Sequence, residues 1–350
     1  MAAEHRKRTA LLKEGFKKLK LDSFLVSDET NVSYLSGFTG HDAMALVSRG
    51  RAFLITDSRY SEEAAGTVDG FDIIVRGSSG YETISGIVSR HKLKRVGFES
   101  MDLPFGVANK LKRALRRSDM VPVCGAVERL RSVKDRSEIG LIRDSIALTK
   151  RVFENILSCV RPGASERSIA VRCEKAFIDG GARPAFDPII AAGANSSKPH
   201  ASPTDAAIKK DSHVMIDIGC NLRGYCSDLT RMVFTGRVKE KLKKMYHAVR
   251  SAQEDAIAKI APGVKAREVD SAARLRITDC GLGKYFVHSL GHGVGMEIHE
   301  EPAISPTGDT VLRPGMVFTV EPAVYVPRFG GVRIEDMILV TDDGCEILTR

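Results

Sequence analysis

Four carboxylates occupy stretches whose other residues read as buried β-strand: Asp217 in VMIDIG, Asp228 in YCSDLTRMVF, Glu321 in MVFTVEP and Glu335 in GVRIEDMILV. An ionised carboxylate between apolar neighbours forfeits its hydration unless donors or a cation compensate it. Taken singly, each acid reads as an ion pair or a strand-edge residue; four in one chain require a shared cause. Asp217 and Asp228 are separated by the turn-rich run Gly-Cys-Asn-Leu-Arg-Gly, which predicts a hairpin with the two carboxylates facing each other. Without countercharge such a group takes up protons. Two divalent cations cancel the four negative charges, and an oxygen-rich site with one imidazole suits Mn²⁺, Co²⁺ or Zn²⁺.

The histidines add a second cluster of chemistry. His5, His41, His91, His213 and His247 stand alone in polar or mixed sequence and are expected on the surface or in packing. The remaining four fall in two contexts: His200 after GANSSKP, and His288-x-x-x-His292-Gly-x-Gly-x-x-x-His299-Glu-Glu-Pro. Gly291, Gly293 and Gly295 disfavour a regular helix, so a loop or strand displays these imidazoles. An H-E-x-x-H zinc helix is excluded, because position 303 is Ala303 and Pro302 would break the helix.

Elements that position these residues follow from periodicity. After a basic amphipathic helix at about 4–20, the apolar runs SFLVSD, AMALVS, RAFLITD, FDIIVRG, RVGFES and MVPV alternate with stretches such as SRYSEEAAG and PFGVANKLKRALRR. This predicts an α/β domain over residues 1–127, followed by a linker at 128–135. From residue 136 to 350, helices at about 136–160, 165–180, 238–260 and 267–280 flank the strands HVMIDIGC, YCSDLTRMVF, MVFTVEP, GVRIEDMILV and CEIL. That order predicts an α+β domain with a mainly antiparallel sheet.

Composition removes other classes. The chain has 350 residues and 43% hydrophobic content, enough for two cored domains. Its +9 net charge is spread over scattered basic runs, and with 6% aromatics and no Trp there is little to stack bases on, so no nucleic-acid partner is expected. Seven cysteines without a C-x-x-C pattern read as reduced thiols. The N-terminus lacks a signal-type apolar run, and no stretch approaches the ~18 apolar residues of a membrane span. A soluble cytoplasmic protein with no membrane partner is expected.

In this order the motifs resemble the metallopeptidase family of methionine aminopeptidase, aminopeptidase P and prolidase, the pita-bread fold. The resemblance spans roughly residues 136–350 and implies Asp217, Asp228, His292, Glu321 and Glu335 as metal ligands. It further implies His200 and His299 as catalytic groups facing the substrate from opposite sides, and His288 as a further substrate-facing histidine. Strand alternation puts Arg333 on the face of Glu335, where it would hold a carboxylate or the substrate. The run Asn31-Val-Ser-Tyr34-Leu35-Ser-Gly37-Phe38-Thr-Gly40 resembles the creatinase-type N-terminal domain of aminopeptidase P and prolidase. Creatinase itself shares the fold without metals, and retention of all five ligand positions argues against it. The implied chemistry is attack by a hydroxide activated by two metal ions, with Mn²⁺ expected and Co²⁺ or Zn²⁺ as alternatives, on the Xaa-Pro bond of a peptide with proline second. The resemblance also implies a homodimer.

Two departures bear on substrate length. Some similar prolidases carry Arg just after H-E-x-P, where this chain has Ala303; Arg328 and Arg333 are the candidate replacements. Ala323 stands where the family often has Gly. The expectation is therefore an Xaa-Pro aminopeptidase, with Xaa-Pro dipeptidase as the alternative and a non-catalytic peptide-binding module as the reading of another class.

Overall fold

The computed structural model describes residues 2–77 and 79–350, and the chain divides into two units at Arg131/Ser132. The first unit is built from α1 (Ala2–Leu19), β1 (Ser23–Val26), α2 (Glu29–Ser36), β2 (Met44–Ser48), β3 (Ala52–Thr56), α3 (Ser61–Thr67), β4 (Asp72–Val75), α4 (Gly80–Arg90), β5 (Arg95–Glu99), α5 (Phe105–Ala114), β6 (Asp119–Val123) and α6 (Glu128–Arg131). All six apolar runs read as strands form one sheet in the order β4-β3-β2-β1-β5-β6. Its centre is antiparallel and its flanking pairs are parallel. Leu25, Leu46, Phe53 and Val96 share a core with Ile84, Ile87 and Val88 of α4 and Leu111 of α5.

Helices α2 and α4 also fall between the apolar runs, continuing the alternation. The first is only two turns of Asn- and Ser-rich sequence with no helical apolar stripe. It exists because Asp28 caps it through the Asn31 amide and Gly37, at φ 79°, ends it in the left-handed conformation. Asn31 is fully buried: its amide donates to Glu99 Oε1 (2.7 Å) and Glu128 Oε1 (2.9 Å), and its carbonyl accepts from Arg131 (2.8 Å).

The second unit begins with α7 (Arg136–Leu157) and α8 (Glu166–Asp179), then β7 (Arg183–Pro184), β8 (Ile189–Ala192), β9 (His213–Ile218), β10 (Cys220–Leu222), β11 (Tyr225–Cys226) and β12 (Leu229–Phe234). It continues with α9 (Glu240–Ala258), α10 (Ala266–Asp279), β13 (Gly291–Gly293), β14 (Glu300–Ile304), β15 (Val317–Val320), β16 (Ala323–Val326), β17 (Gly330–Arg333), β18 (Asp336–Val340) and β19 (Cys345–Ile347). Helices α7 and α8 bury Val152, Ile169, Cys173 and Phe177 against Ile190, Ile216 and Ile218. Helices α9 and α10 do the same with Val249, Val269 and Ala273 against Phe318, Val320, Val332 and Ile334. Each helix pair therefore backs one group of strands, and by alternation the intervening Asp217, Thr319, Arg333 and Glu335 face the other way.

Two expected strands are more complex than read. The 217–228 stretch is not one hairpin: β9 pairs directly with β12, placing Thr230 opposite Asp217, while β10 and β11 form a separate hairpin against β7. Asp228 sits just before β12, diagonal to Asp217. GVRIEDMILV likewise changes partners midway, with β17 pairing to β16 and β18 to β15.

Candidate active site

His292 owes its position to the glycines around it. Strand β13 lies between β14 and β15, and a Cβ at Gly291 would strike the Thr319 carbonyl while one at Gly293 would strike the Glu300 and Glu301 carbonyls. The His292 Nδ1–H donates to the Gly293 carbonyl (3.2 Å), leaving Nε2 turned to Glu321 Oε1 (3.3 Å) and Asp228 Oδ2 (3.6 Å). Thr319 ties strand to ligand: its hydroxyl accepts the His292 amide (3.1 Å) and donates to Glu321 (3.2 Å).

Ligand atoms of Asp228, His292 and Glu335 lie within 4.8 Å of one another. Glu321 joins them through His292, and Asp217 through Arg333. Burial raises the Asp228 carboxyl well above its ordinary range, and the Glu335, Asp217 and Glu321 charges add to the rise. Burial, then Glu321 and Asp217, push Glu335 up to about 8. Burial also raises Asp217 against the opposing Arg333 charge, while the His292 bond brings Glu321 below its usual value despite burial. Asp217 Oδ1 is buried without a hydrogen-bond partner. Crowded acids, one orphaned carboxylate oxygen and an imidazole whose Nε2 is turned into the cluster fit hard or borderline divalent cations.

A second layer holds this cluster. Arg333 is 4% exposed, and each guanidinium nitrogen is engaged: Nε with the Thr230 hydroxyl (3.2 Å), Nη1 with the Pro199 carbonyl (3.0 Å) and Tyr325 hydroxyl (2.7 Å), Nη2 with Asp217. Of the two roles expected for it, its contacts serve that of holding a carboxylate, and it also lines the cavity into which the cluster opens. Thr230 in turn donates to Glu335 (2.8 Å). Tyr325 connects Arg333 to His288 Nε2 (3.1 Å), and the His288 Nδ1–H donates to the Ser289 carbonyl (2.7 Å). Both ring nitrogens of His288 are thus occupied, and burial keeps the ring neutral.

The cluster opens into a cavity of about 920 Å³ that also exposes His200, His299, Ile298 and Ala303. His299 stacks edge-on to His292 with ring centroids 4.2 Å apart. Arg328 is not among the residues that line the cavity. Thr230 and Tyr325 escaped the sequence reading. The signal for Thr230 was its two-residue offset from Asp228; nothing local distinguished the tyrosine from core.

Comparison with known proteins adds two family matches, one similar relative and two similar solved structures. Residues 140–342 match the model of metallopeptidase family M24, and residues 8–133 match the creatinase/prolidase N-terminal domain. The chain is 35% identical over 343 residues to an Xaa-Pro dipeptidase of Pyrococcus horikoshii, covering 96% of this chain and 95% of that protein. Among solved structures it is similar to an Xaa-Pro dipeptidase from Bacillus anthracis (37% identity, TM-score 0.96, 99% and 98% covered) and an X-Pro aminopeptidase from Thermotoga maritima (34%, 0.88, 95% and 97%).

Proposed function

The chain belongs to metallopeptidase family M24, in its prolidase and aminopeptidase P branch, and from that premise we propose that it removes the N-terminal residue from Xaa-Pro-Yaa peptides. Membership makes it a metal-dependent exopeptidase acting on Xaa-Pro bonds; the preference for longer peptides is the finer reading. One observation carries it: Ala303, which supplies no cation, lines the cavity at the position where the resemblance puts an Arg in some prolidases, and every guanidinium nitrogen of Arg333 already has a protein partner. A dipeptide brings its carboxylate directly beyond the cut, where an unpaired anion costs more than a peptide carbonyl. The cavity volume, near the top of the roughly 300–1,000 Å³ typical of small-ligand pockets, supports a longer occupant. The dipeptidase reading is favoured by the activity named for two of the similar proteins.

In this proposal Asp217, Asp228, His292, Glu321 and Glu335 hold two divalent ions, with Mn²⁺ expected. Bound there, such ions supply a Lewis acid for the scissile carbonyl and ionise water near neutral pH. Arg333 and Thr230 orient Asp217 and Glu335. His200 and His299 donate to the developing oxyanion or carry a proton to the proline nitrogen. His288, locked by Tyr325 and Ser289, walls the substrate. A homodimer and a cytoplasmic location complete the proposal, the latter supported by seven free cysteines.

The test is kcat/KM of Mn²⁺-reconstituted protein on a matched Xaa-Pro and Xaa-Pro-Yaa pair. Equal or faster turnover of the tripeptide is expected. A dipeptide preference of about tenfold, equivalent to ~1.4 kcal/mol, would make the enzyme a prolidase.

A further inference from the structure

We propose that Glu166, which lies outside the five-ligand cluster, is a positioning residue: its buried carboxylate clamps both ends of the segment that presents His200. The inference rests on the reading of His200 as a group that acts on substrate. Glu166 is the first residue of α8 and only 1% exposed. Its Oε1 accepts the Ala192 amide (2.6 Å), at the end of β8. Its Oε2 accepts from the Asn195 side chain (2.9 Å), the Thr204 amide (2.8 Å) and the Thr204 hydroxyl (2.7 Å).

One anion thus fastens three points along residues 192–204. Charge-assisted bonds are about twice as strong as neutral ones, and the N-terminus of α8 favours the negative charge. The base of the clamp is rigid, since Ile169, Ala170, Cys173 and Phe177 of α8 are packed in the core. What it holds is not self-supporting: apart from the 3₁₀ turn Gly193–Ser197, the segment has no regular structure. Within it, the Pro199 carbonyl receives Arg333 and His200 is exposed to the cavity. Asn195 also donates to the Ser202 carbonyl (3.3 Å), tying the segment across its own width. Displacement of a reacting group by about 1 Å costs up to ~10²-fold in rate, so a clamp of this kind controls turnover without touching substrate.

The experiment uses metal-reconstituted full-length protein and an Xaa-Pro-Yaa peptide. Glu166→Gln replaces one acceptor by a donor facing other donors; Thr204→Val removes one bond with little change of shape and serves if the first variant folds poorly. Glu166→Gln is expected to lower kcat about 10- to 100-fold at unchanged metal content and nearly unchanged KM, with a smaller loss for Thr204→Val. In a His200→Ala background the same substitution is expected to cost less than about threefold, because residues acting as a unit are not additive. Hydrogen exchange across residues 193–204 is expected to accelerate. Additive losses, undiminished kcat or unchanged exchange would overturn the proposal. If the unsubstituted protein cleaved neither Xaa-Pro nor Xaa-Pro-Yaa, the functional reading alone would fail. Exchange would then decide the clamp, with acceleration in Glu166→Gln upholding it and its absence refuting it.

Discussion

Asp228 concentrates the chemistry of single residues, because its carboxylate faces Glu335, Asp217, Glu321 and the His292 imidazole together. An amide in its place could not supply the negative charge with which a carboxylate would hold divalent cations. Asp228→Asn should therefore lose most activity and bind metal more weakly while remaining folded; full turnover by a folded variant would remove Asp228 from the ligand set. His299 differs, since it meets His292 in an edge-on ring contact and lies outside the group formed by Asp228, His292 and Glu335. His299→Ala should lower kcat by about 10²-fold with metal retained. Elemental analysis checks this, because loss of metal would make His299 a ligand.

At the scale of elements, the site depends on strands that approach more closely than side chains allow. Gly293→Ala would drive a methyl group into the carbonyls of β14, and overpacking of this kind costs about 1–3 kcal/mol. The expected result is a lower melting temperature and weaker metal binding, as β13 carries His292 out of register. A second element contact is the 3₁₀ turn at Gly193–Ser197. The Ser196 hydroxyl donates to the Gly193 carbonyl (2.7 Å) and accepts from the Gly331 amide (2.8 Å) and His213 Nε2 (3.0 Å), joining the turn to β17. Burial, assisted by the Lys239 charge, lowers His213 to about 4. The unfolded ring titrates near 6.5, so this contribution to stability is complete above about pH 6.5 and is lost as pH falls toward 4. Between about pH 7.5 and 5 the loss is on the order of 2 kcal/mol. Unfolding free energies of the wild type and His213→Gln at both pH values test it: the variant should show a shallower decline, and parallel declines would refute the assignment.

For the whole molecule, metal bound at the cluster is expected to stabilise the second unit, since without it crowded buried acids take up protons. Chelation should abolish activity and lower the melting temperature; a ligand at 100 times its Kd contributes about 2.7 kcal/mol. Activity intact in EDTA would refute the mechanism. The architecture was legible in sequence because period-two apolar runs, helical stripes and glycine punctuation are local signals. So was the oddity of Asp217, Asp228, Glu321 and Glu335, because a charge in an apolar run is anomalous wherever the chain goes. His213 read as ordinary packing or surface, since nothing in its neighbours announced the Ser196 bond. The hairpin geometry at 217–228 and the break after Arg333 were misread, because a strand's partner is chosen by long-range pairing and not by its own residues. Which acids converge, why Arg333 is committed to Asp217 and how Glu166 reaches Thr204 depend on contacts between residues 38 and 116 positions apart. Local sequence encodes propensity and burial, whereas distances between side chains on different strands exist only once the sheets and their backing helices have closed.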